Sequence, residues 1–171
     1  MLKIIITGPE SSGKTTLCKA LSEHYKIPFT KEFARKYLSD LGKSYLQEDL
    51  LEIAKGQFKH EQLTSKKQQI SLQDTDLITL KIWSNYKYGN CNNWIINQIE
   101  KQKVKNRFYL LCKPDITWQA DVQRENPNDR IELYNIHLDK IREMGVNFEI
   151  IEGDIPKRLS QAKKILQNHQ L

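Results

Sequence analysis

The period of the apolar positions changes regularly along the chain. The β-branched run Leu2-Lys3-Ile4-Ile5-Ile6-Thr7 reads as a strand, and the amphipathic segment from Thr16 to Leu21 reads as a helix starting near Lys14. Further strands are predicted over Ile27 to Lys31, Gln69 to Gln73, Arg107 to Cys112 and Val146 to Ile151. Between the second and third strands, Leu50, Ile53, Ala54 and Phe58 recur at helical spacing in a stretch from about Leu46 to Ser65. Other helices fall over Asp76 to Tyr86, Trp94 to Gln102, Arg130 to Met144 and Ile155 to Gln167. Gly145 is placed to end the Arg130 helix, and Gly153 punctuates the fifth strand. Strands alternating with helices predict an α/β three-layer sandwich: a five-stranded parallel sheet with helices on both faces. Ligands in such sheets gather at the carboxyl ends of the strands.

Composition narrows the class. A chain of 171 residues suits a single domain with a full core, and residues 1–171 read as one. No apolar stretch is long enough to span a bilayer, and the chain opens on a strand rather than a leader. Cys18, Cys91 and Cys112 lack metal or redox spacing, which suggests reduced thiols and a cytoplasmic protein. The net charge of +6 suits polyanionic ligands. Lysines occur in separate runs (Lys66-Lys67, Lys101 to Lys105, Lys163-Lys164) without an RNA-binding motif, so they read as solvated helix faces rather than a nucleic-acid surface.

The chemistry begins directly after the first strand. Gly8-Pro9-Glu10-Ser11-Ser12-Gly13-Lys14-Thr15-Thr16 has Walker A spacing. Its glycines permit a tight turn whose N–H groups form a nest, and the following helix adds its positive end. Lys14 can reach β- and γ-phosphates, and the Thr15 hydroxyl can ligate Mg²⁺. With a strand before and a helix after, this is a P-loop for ATP and Mg²⁺.

The other strand ends supply partners. Glu32 follows the second strand, where it can take a proton from an acceptor hydroxyl while Arg35, one turn on, orients either partner. The stretch reads equally as a helix-start carboxylate with an ordinary i,i+3 ion pair. Asp74 follows the third strand at the Walker B position for Mg²⁺, and also borders the acceptor. Asp76 either shares the metal or caps the next helix with Thr75. After the fourth strand, the polar segment from about 117 to 130 carries Arg124 and Arg130 and reads as a lid over the migrating phosphoryl group. The alternative is a surface loop whose arginines pair with Asp121, Glu125 and Asp129. Glu152-Gly153-Asp154, after the fifth strand, is placed to border the nucleotide base.

Cys112-Lys113-Pro114-Asp115 imitates a guanine-reading motif but lacks its asparagine, and no Asp-Glu pair of a remodelling ATPase follows the third strand. The lid favours a small-molecule kinase. The ordered motifs Gly-x-Glu-Ser-Ser-Gly-Lys-Thr-Thr, Glu32-Phe-Ala-Arg35, Ile53-Ala-Lys-Gly-Gln57, Asp74-Thr-Asp76-x-x-Thr79 and Pro114-Asp115-Ile-x-Trp118 together resemble the ribosylnicotinamide kinase domain of NadR-type proteins. That resemblance, over nearly the whole chain, implies ATP-dependent phosphorylation of the 5′-hydroxyl of nicotinamide riboside. It is confined to the kinase domain, so it implies neither the later step to NAD nor repression. Val122 stands where the family tends to have glycine. Trp83, Tyr37 and Trp118 are the aromatic candidates for a cationic pyridine ring. A kinase for another nucleoside or small metabolite, and a non-catalytic ATP-binding switch, are the competing readings.

Overall fold

A computed structural model describes residues 2–65, 69–102 and 106–168. The elements in chain order are β1 (Leu2–Thr7), α1 (Lys14–Tyr25), β2 (Phe29–Thr30), α2 (Phe33–Leu41), α3 (Gln47–Ser65), β3 (Ile70–Asp74), α4 (Leu77–Tyr88), α5 (Asn93–Lys101), β4 (Arg107–Cys112), α6 (Arg130–Glu143), β5 (Asn147–Ile151) and α7 (Ile155–Asn168). The five strands are all parallel, in the order β2-β3-β1-β4-β5.

The alternation of side chains along the strands sorts the core into two layers. Ile4 and Ile6 of β1, with Phe108, Leu110 and Cys112 of β4, pack against Leu17, Cys18 and Leu21 of α1 and Ala162 and Leu166 of α7. Ile5, Tyr109 and Leu111 face the other way, onto α3, α4, α5 and α6. All six residues of β4 are buried, as a central parallel strand requires.

The predicted strands and helices lie within a few residues of their expected ends. The exception is α2, which was anticipated only as a helix start at Glu32. Its apolar positions are few, and its docking depends on a distant helix. The Phe33 amide donates to Gln57 Oε1 at 2.7 Å, and the Phe33 ring lies where a side chain at Gly56 would sit, 2.2 Å from an added Cβ. Gly56 and Gln57 of α3 therefore fix the first turn of α2. Lys66-Lys67 and part of the Lys101 to Lys105 run lie outside the described residues. No described helix is long and apolar enough to cross a membrane.

Candidate functional site

The site grows from the end of β1. The loop leaves the sheet so close to β4 that a Cβ on Gly8 would lie 2.6 Å from the Cys112 carbonyl oxygen, and Gly8 has φ +136°. Gly13, with φ +78°, is the N-cap of α1. Glycine is needed at both positions, the first for a close approach and the second for a left-handed turn. Within the loop, Ser12 Oγ and Lys14 Nζ both donate to the Pro9 carbonyl at 2.8 Å. The lysine thus curls over its own loop, with its ammonium beside the nest.

A side chain from the far end of the chain braces this loop. Arg158 of α7 is fully buried and donates to the carbonyls of Ser12 (2.8 Å), Lys113 (2.9 Å) and Gly153, and to Asp115. Its planar fork ties the P-loop to the ends of β4 and β5. Asp115, which imitates a guanine reader in sequence, is held by Arg158 and by the Gly153 amide at 2.7 Å. No local pattern marks Arg158, because its partners are dispersed along the chain.

The β1–β3 register pairs Ile6 with Asp74, which sets this carboxylate beside the loop. Thr15 Oγ1 donates to Asp74 Oδ2 at 2.7 Å, while the buried Oδ1 has no partner. Burial and then the nearby Glu32 charge push the Asp74 pKa up to about 6, against the opposing pull of Thr15, Lys14 and Arg35. A hydroxyl and a half-used carboxylate at this place fit a Mg²⁺ ion, which takes few protein ligands and completes its shell with phosphate and water. Among the described residues no group of three or more His, Cys, Asp or Glu is arranged to hold a metal.

Asp76 is not brought to this pair, contrary to its expected metal role. Its Oδ1 caps α4 by accepting from the Ile78 amide at 3.0 Å. Its Oδ2 accepts from Tyr109 at 2.6 Å and Arg107 at 3.1 Å. Arg107 also binds Glu61, which takes Lys3 at 2.6 Å, so Asp76 belongs to a buried ionic network on the other side of the strand end. One oxygen thus serves the alternative role, capping, and the other serves the network.

A cleft of about 570 Å³ opens above the loop and is lined by Gly8 through Thr16 on one side. On the other side stand Glu32, Ala34, Arg35 and Leu38, then Thr79, Ile82, Trp83 and Tyr86 of α4, and Leu133 and His137 of α6. The α4 residues follow i, i+3, i+4, i+7 spacing and so form one helix face. Arg35 Nε lies 3.5 Å from Glu32 and its Nη1 donates to Asp121 at 3.0 Å. The carboxylate therefore lines the cleft and also forms the i,i+3 ion pair with Arg35.

Of the three aromatic candidates, Trp83 lines the cleft, and its indole donates to Tyr45 at 2.9 Å. Tyr37 packs against Phe33 and donates to Asp49 at 2.8 Å. Trp118 lies beneath two guanidinium groups, with Arg124 5.9 Å and Arg130 5.7 Å from its ring centre. His137 went unnoticed in the sequence. It is buried, bonded through Nδ1 to the Leu133 carbonyl at 2.7 Å, and its Nε2 is unpartnered. A histidine on the core-facing stripe of α6 was the available signal.

The segment between β4 and α6 lies folded over the P-loop. Glu10 Oε2 accepts from the amides of Glu125 and Asn126, each at 3.0 Å. Gln119 donates through its amide to Ser11 Oγ at 3.0 Å, and Arg130 donates to the Ser11 and Ile116 carbonyls at 3.0 and 2.9 Å. Arg124 binds the Gln119 carbonyl and lines the cleft. Lys87 donates to both Glu125 oxygens at 2.9 and 3.1 Å. Val122 is fully exposed. Both arginines are thus carried to the phosphate loop rather than paired with Asp121, Glu125 and Asp129.

A parallel sheet in this order, with a glycine-built loop after its central strand and an arginine-bearing segment closing over it, defines a P-loop domain of the kinase fold. Residues 3–158 match the family described as AAA domain, and the chain belongs to that family. No curated protein matches the sequence. Among solved structures it is similar to NadR protein in complex with NR, at 19% identity and TM-score 0.75, over 98% of this chain and 50% of that one. It is also similar to thymidylate kinase from Ehrlichia chaffeensis (16% identity, TM-score 0.71, 97% of this chain and 98% of that one). Deoxyadenosine kinase from M. mycoides with bound dCTP gives 14% identity and TM-score 0.66, over 98% of this chain and 100% of that one. The chain spans about half the length of the NadR chain. At these identities the likeness is one of fold.

Proposed function

We propose that the protein is an ATP-dependent kinase that phosphorylates the 5′-hydroxyl of nicotinamide riboside, giving nicotinamide mononucleotide. The observation that carries this reading is that a single cleft has the phosphate loop on one wall and Glu32 with an aromatic slot on the other. The similarity to NadR, solved with NR and separately with NAD and AMP-PNP, supports the choice of both ligands.

In this reading the amides of the loop and the α1 N-terminus hold the triphosphate. Lys14 leaves the Pro9 carbonyl and offsets charge on the β- and γ-phosphates, while Arg124 and Arg130 close from the lid and exclude water. Thr15 and Asp74 would hold Mg²⁺, which would supply positive charge against the charge developing on the phosphates. The acceptor oxygen forms its bond to the γ-phosphorus as the bond to the β–γ bridging oxygen breaks, and Glu32 takes the hydroxyl proton. Arg35, bonded to both Glu32 and Asp121, keeps that carboxylate in place and links it to the lid. Trp83 offers the aromatic face to the cationic pyridine ring.

The test is a panel of nucleosides incubated with ATP and Mg²⁺ and assayed for ADP and for phosphorylated product. Nicotinamide riboside is expected to give the highest kcat/KM. A higher value for a deoxynucleoside would move the protein to another nucleoside kinase class, and tight ATP binding without product would make it a switch. Glu32→Gln keeps shape and removes basicity, so turnover should fall roughly a hundredfold while ATP affinity holds. Parent-like turnover in that variant would take the base role from Glu32.

A further inference from the structure

The lid is joined to the acceptor wall as well as to the phosphate loop, and one hydroxyl makes the join. Tyr45 lies half-buried in the segment between α2 and α3, its ring edge-on to Trp83 with 5.2 Å between centres. Its Oη accepts from the Trp83 indole at 2.9 Å and from Lys87 Nζ at 2.7 Å, and donates to Glu125 Oε2 at 2.5 Å. An indole N–H and an ammonium only donate, and a carboxylate only accepts, so the direction of every bond is fixed. The hydroxyl's one proton and both its lone pairs are thereby used. Burial and then the Glu125 bond push the phenol pKa well up, against the Trp83 bond, so it keeps its proton.

The groups that meet at this hydroxyl belong to different walls of the cleft. Trp83 and Lys87 stand one turn apart on α4, and Trp83 lines the acceptor half. Glu125 belongs to the lid, and its own amide is held by Glu10 of the phosphate loop at 3.0 Å. One lid residue is therefore tied to the loop through its backbone and to the acceptor wall through its carboxylate. Lys87 adds to the second tie, bonding both Glu125 oxygens and lying 3.9 Å from the Tyr45 ring centre. The Lys87 and Glu125 side chains are 34% and 40% exposed, so solvent screens that ion pair and it holds the lid weakly by itself. The Tyr45 bond is short and charge-assisted, and it is the one that reaches the indole.

We infer that Tyr45 is a positioning residue that couples the acceptor half to the lid: it holds the Trp83 indole and Glu125 in one arrangement, so that a ring packed against Trp83 favours the closed lid. This rests on the kinase reading of the cleft, with any acceptor that carries a flat ring. A ring stacked on Trp83 restricts the indole to the orientation whose N–H meets Tyr45, and the hydroxyl is then turned toward Glu125. The lid held in this way is also the one that carries Arg124 and Arg130 to the phosphate loop. Acceptor and nucleotide therefore bind with positive cooperativity, and by linkage each tightens the other by the same factor.

The experiment titrates AMP-PNP with Mg²⁺ into the parent, Tyr45→Phe, Glu125→Ala and the double variant, with and without nicotinamide riboside, after a thermal melt of each. In the parent the riboside should tighten AMP-PNP roughly tenfold. Tyr45→Phe keeps the ring against Trp83 and removes only the hydroxyl, so this factor should fall to about threefold or less. A merely structural loss would weaken AMP-PNP equally with and without the riboside and leave the factor as it is. Glu125→Ala keeps the backbone bond to Glu10 and should lose the coupling to the same extent; lying on the lid outside the core, it carries the test if Tyr45→Phe does not fold. In its background Tyr45→Phe should have no further effect, as two residues acting through one bond require. No coupling in a parent that binds the riboside, an undiminished factor in a folded variant, or independent losses in the double variant would each overturn the inference. A parent that binds no riboside would instead refute the substrate reading, and hydrogen exchange over residues 119–128 in the AMP-PNP complex then decides. Exchange roughly threefold or more faster in Tyr45→Phe than in the parent supports the coupling, and equal exchange overturns it.

Discussion

Asp74 and Asp76 leave the same strand end two residues apart and enter different regions. Asp74 turns to the phosphate loop, takes one hydrogen bond from Thr15 and leaves its other oxygen unpaired. Asp76 turns under α4, where Ile78, Tyr109 and Arg107 use both its oxygens. Both side chains are buried, so exposure does not distinguish them. The state of their hydrogen bonds does. A satisfied carboxylate in a network of cations serves the fold. One kept half-used, beside a hydroxyl and the loop, has an oxygen that the fold does not employ.

The sharpest way to break the contrast is to remove a cation from the satisfied side. Arg107→Ala strips both Asp76 and Glu61 of their shared partner, leaving Lys3 on Glu61 alone. Loss of about 3–5 kcal/mol of stability is expected from an uncompensated buried charge, read by denaturant unfolding. Turnover per folded molecule should hold. A parent-like midpoint would mean that the network does not support the fold.

Lys14→Ala works in the opposite direction. Its ammonium bonds only a loop carbonyl here, so unfolding should change little. Phosphoryl transfer should drop by roughly 10²–10³-fold, measured by steady-state ADP release. Unchanged turnover in this folded variant would refute the kinase reading. Asp74→Asn is gentler: it removes a charge that burial already disfavours, so stability should hold or rise. The Mg²⁺ concentration for half-maximal rate should climb on the order of 10–100-fold. An unaltered Mg²⁺ titration would leave Asp74 no part in metal binding.

The smallest effect comes from a buried histidine whose Nε2 has no partner. His137 titrates near 6.5 when unfolded and about 4 when folded, so the unfolded chain binds more protons between those values. Its share of stability is complete above the upper value and is lost as pH falls toward the lower one. Between pH 7 and pH 5 this amounts to about 2 kcal/mol. The melting temperature of His137→Gln should therefore fall less over that interval than the parent's, and parallel curves would contradict a buried neutral imidazole.

The two regions were also unequally legible in the sequence. The P-loop can be read because its geometry is local: a strand, two glycines at fixed spacing and a helix specify the backbone nest without reference to the rest of the chain. Asp74 can be read for a similar reason, since strand ends in a parallel sheet face the site. Asp76 looked just as eligible, and only Arg107 and Tyr109 of another strand decide against it. Arg158 and the latch from Glu10 to residues 125 and 126 were beyond reach for the same cause, as partners more than a hundred residues apart leave no periodic mark. The α2 helix was missed because Gly56 and Gln57 fix its first turn from outside it. His137 shows a different limit. Sequence can place a polar residue on an inward face, but whether its second nitrogen finds a donor is settled by three-dimensional packing.

The brace formed by Arg158 has a bearing on how the protein is made. Ser12 and Arg158 are 146 residues apart, and translation runs from the loop toward the brace. At about 5–20 residues per second, the loop is synthesised roughly 7–30 s before the guanidinium that ties it to β4 and β5. The P-loop is thus translated well before it can mature. For that interval the nascent chain carries a phosphate-binding sequence without the scaffold that shapes it, and the cradle is completed only when α7 docks beside α1.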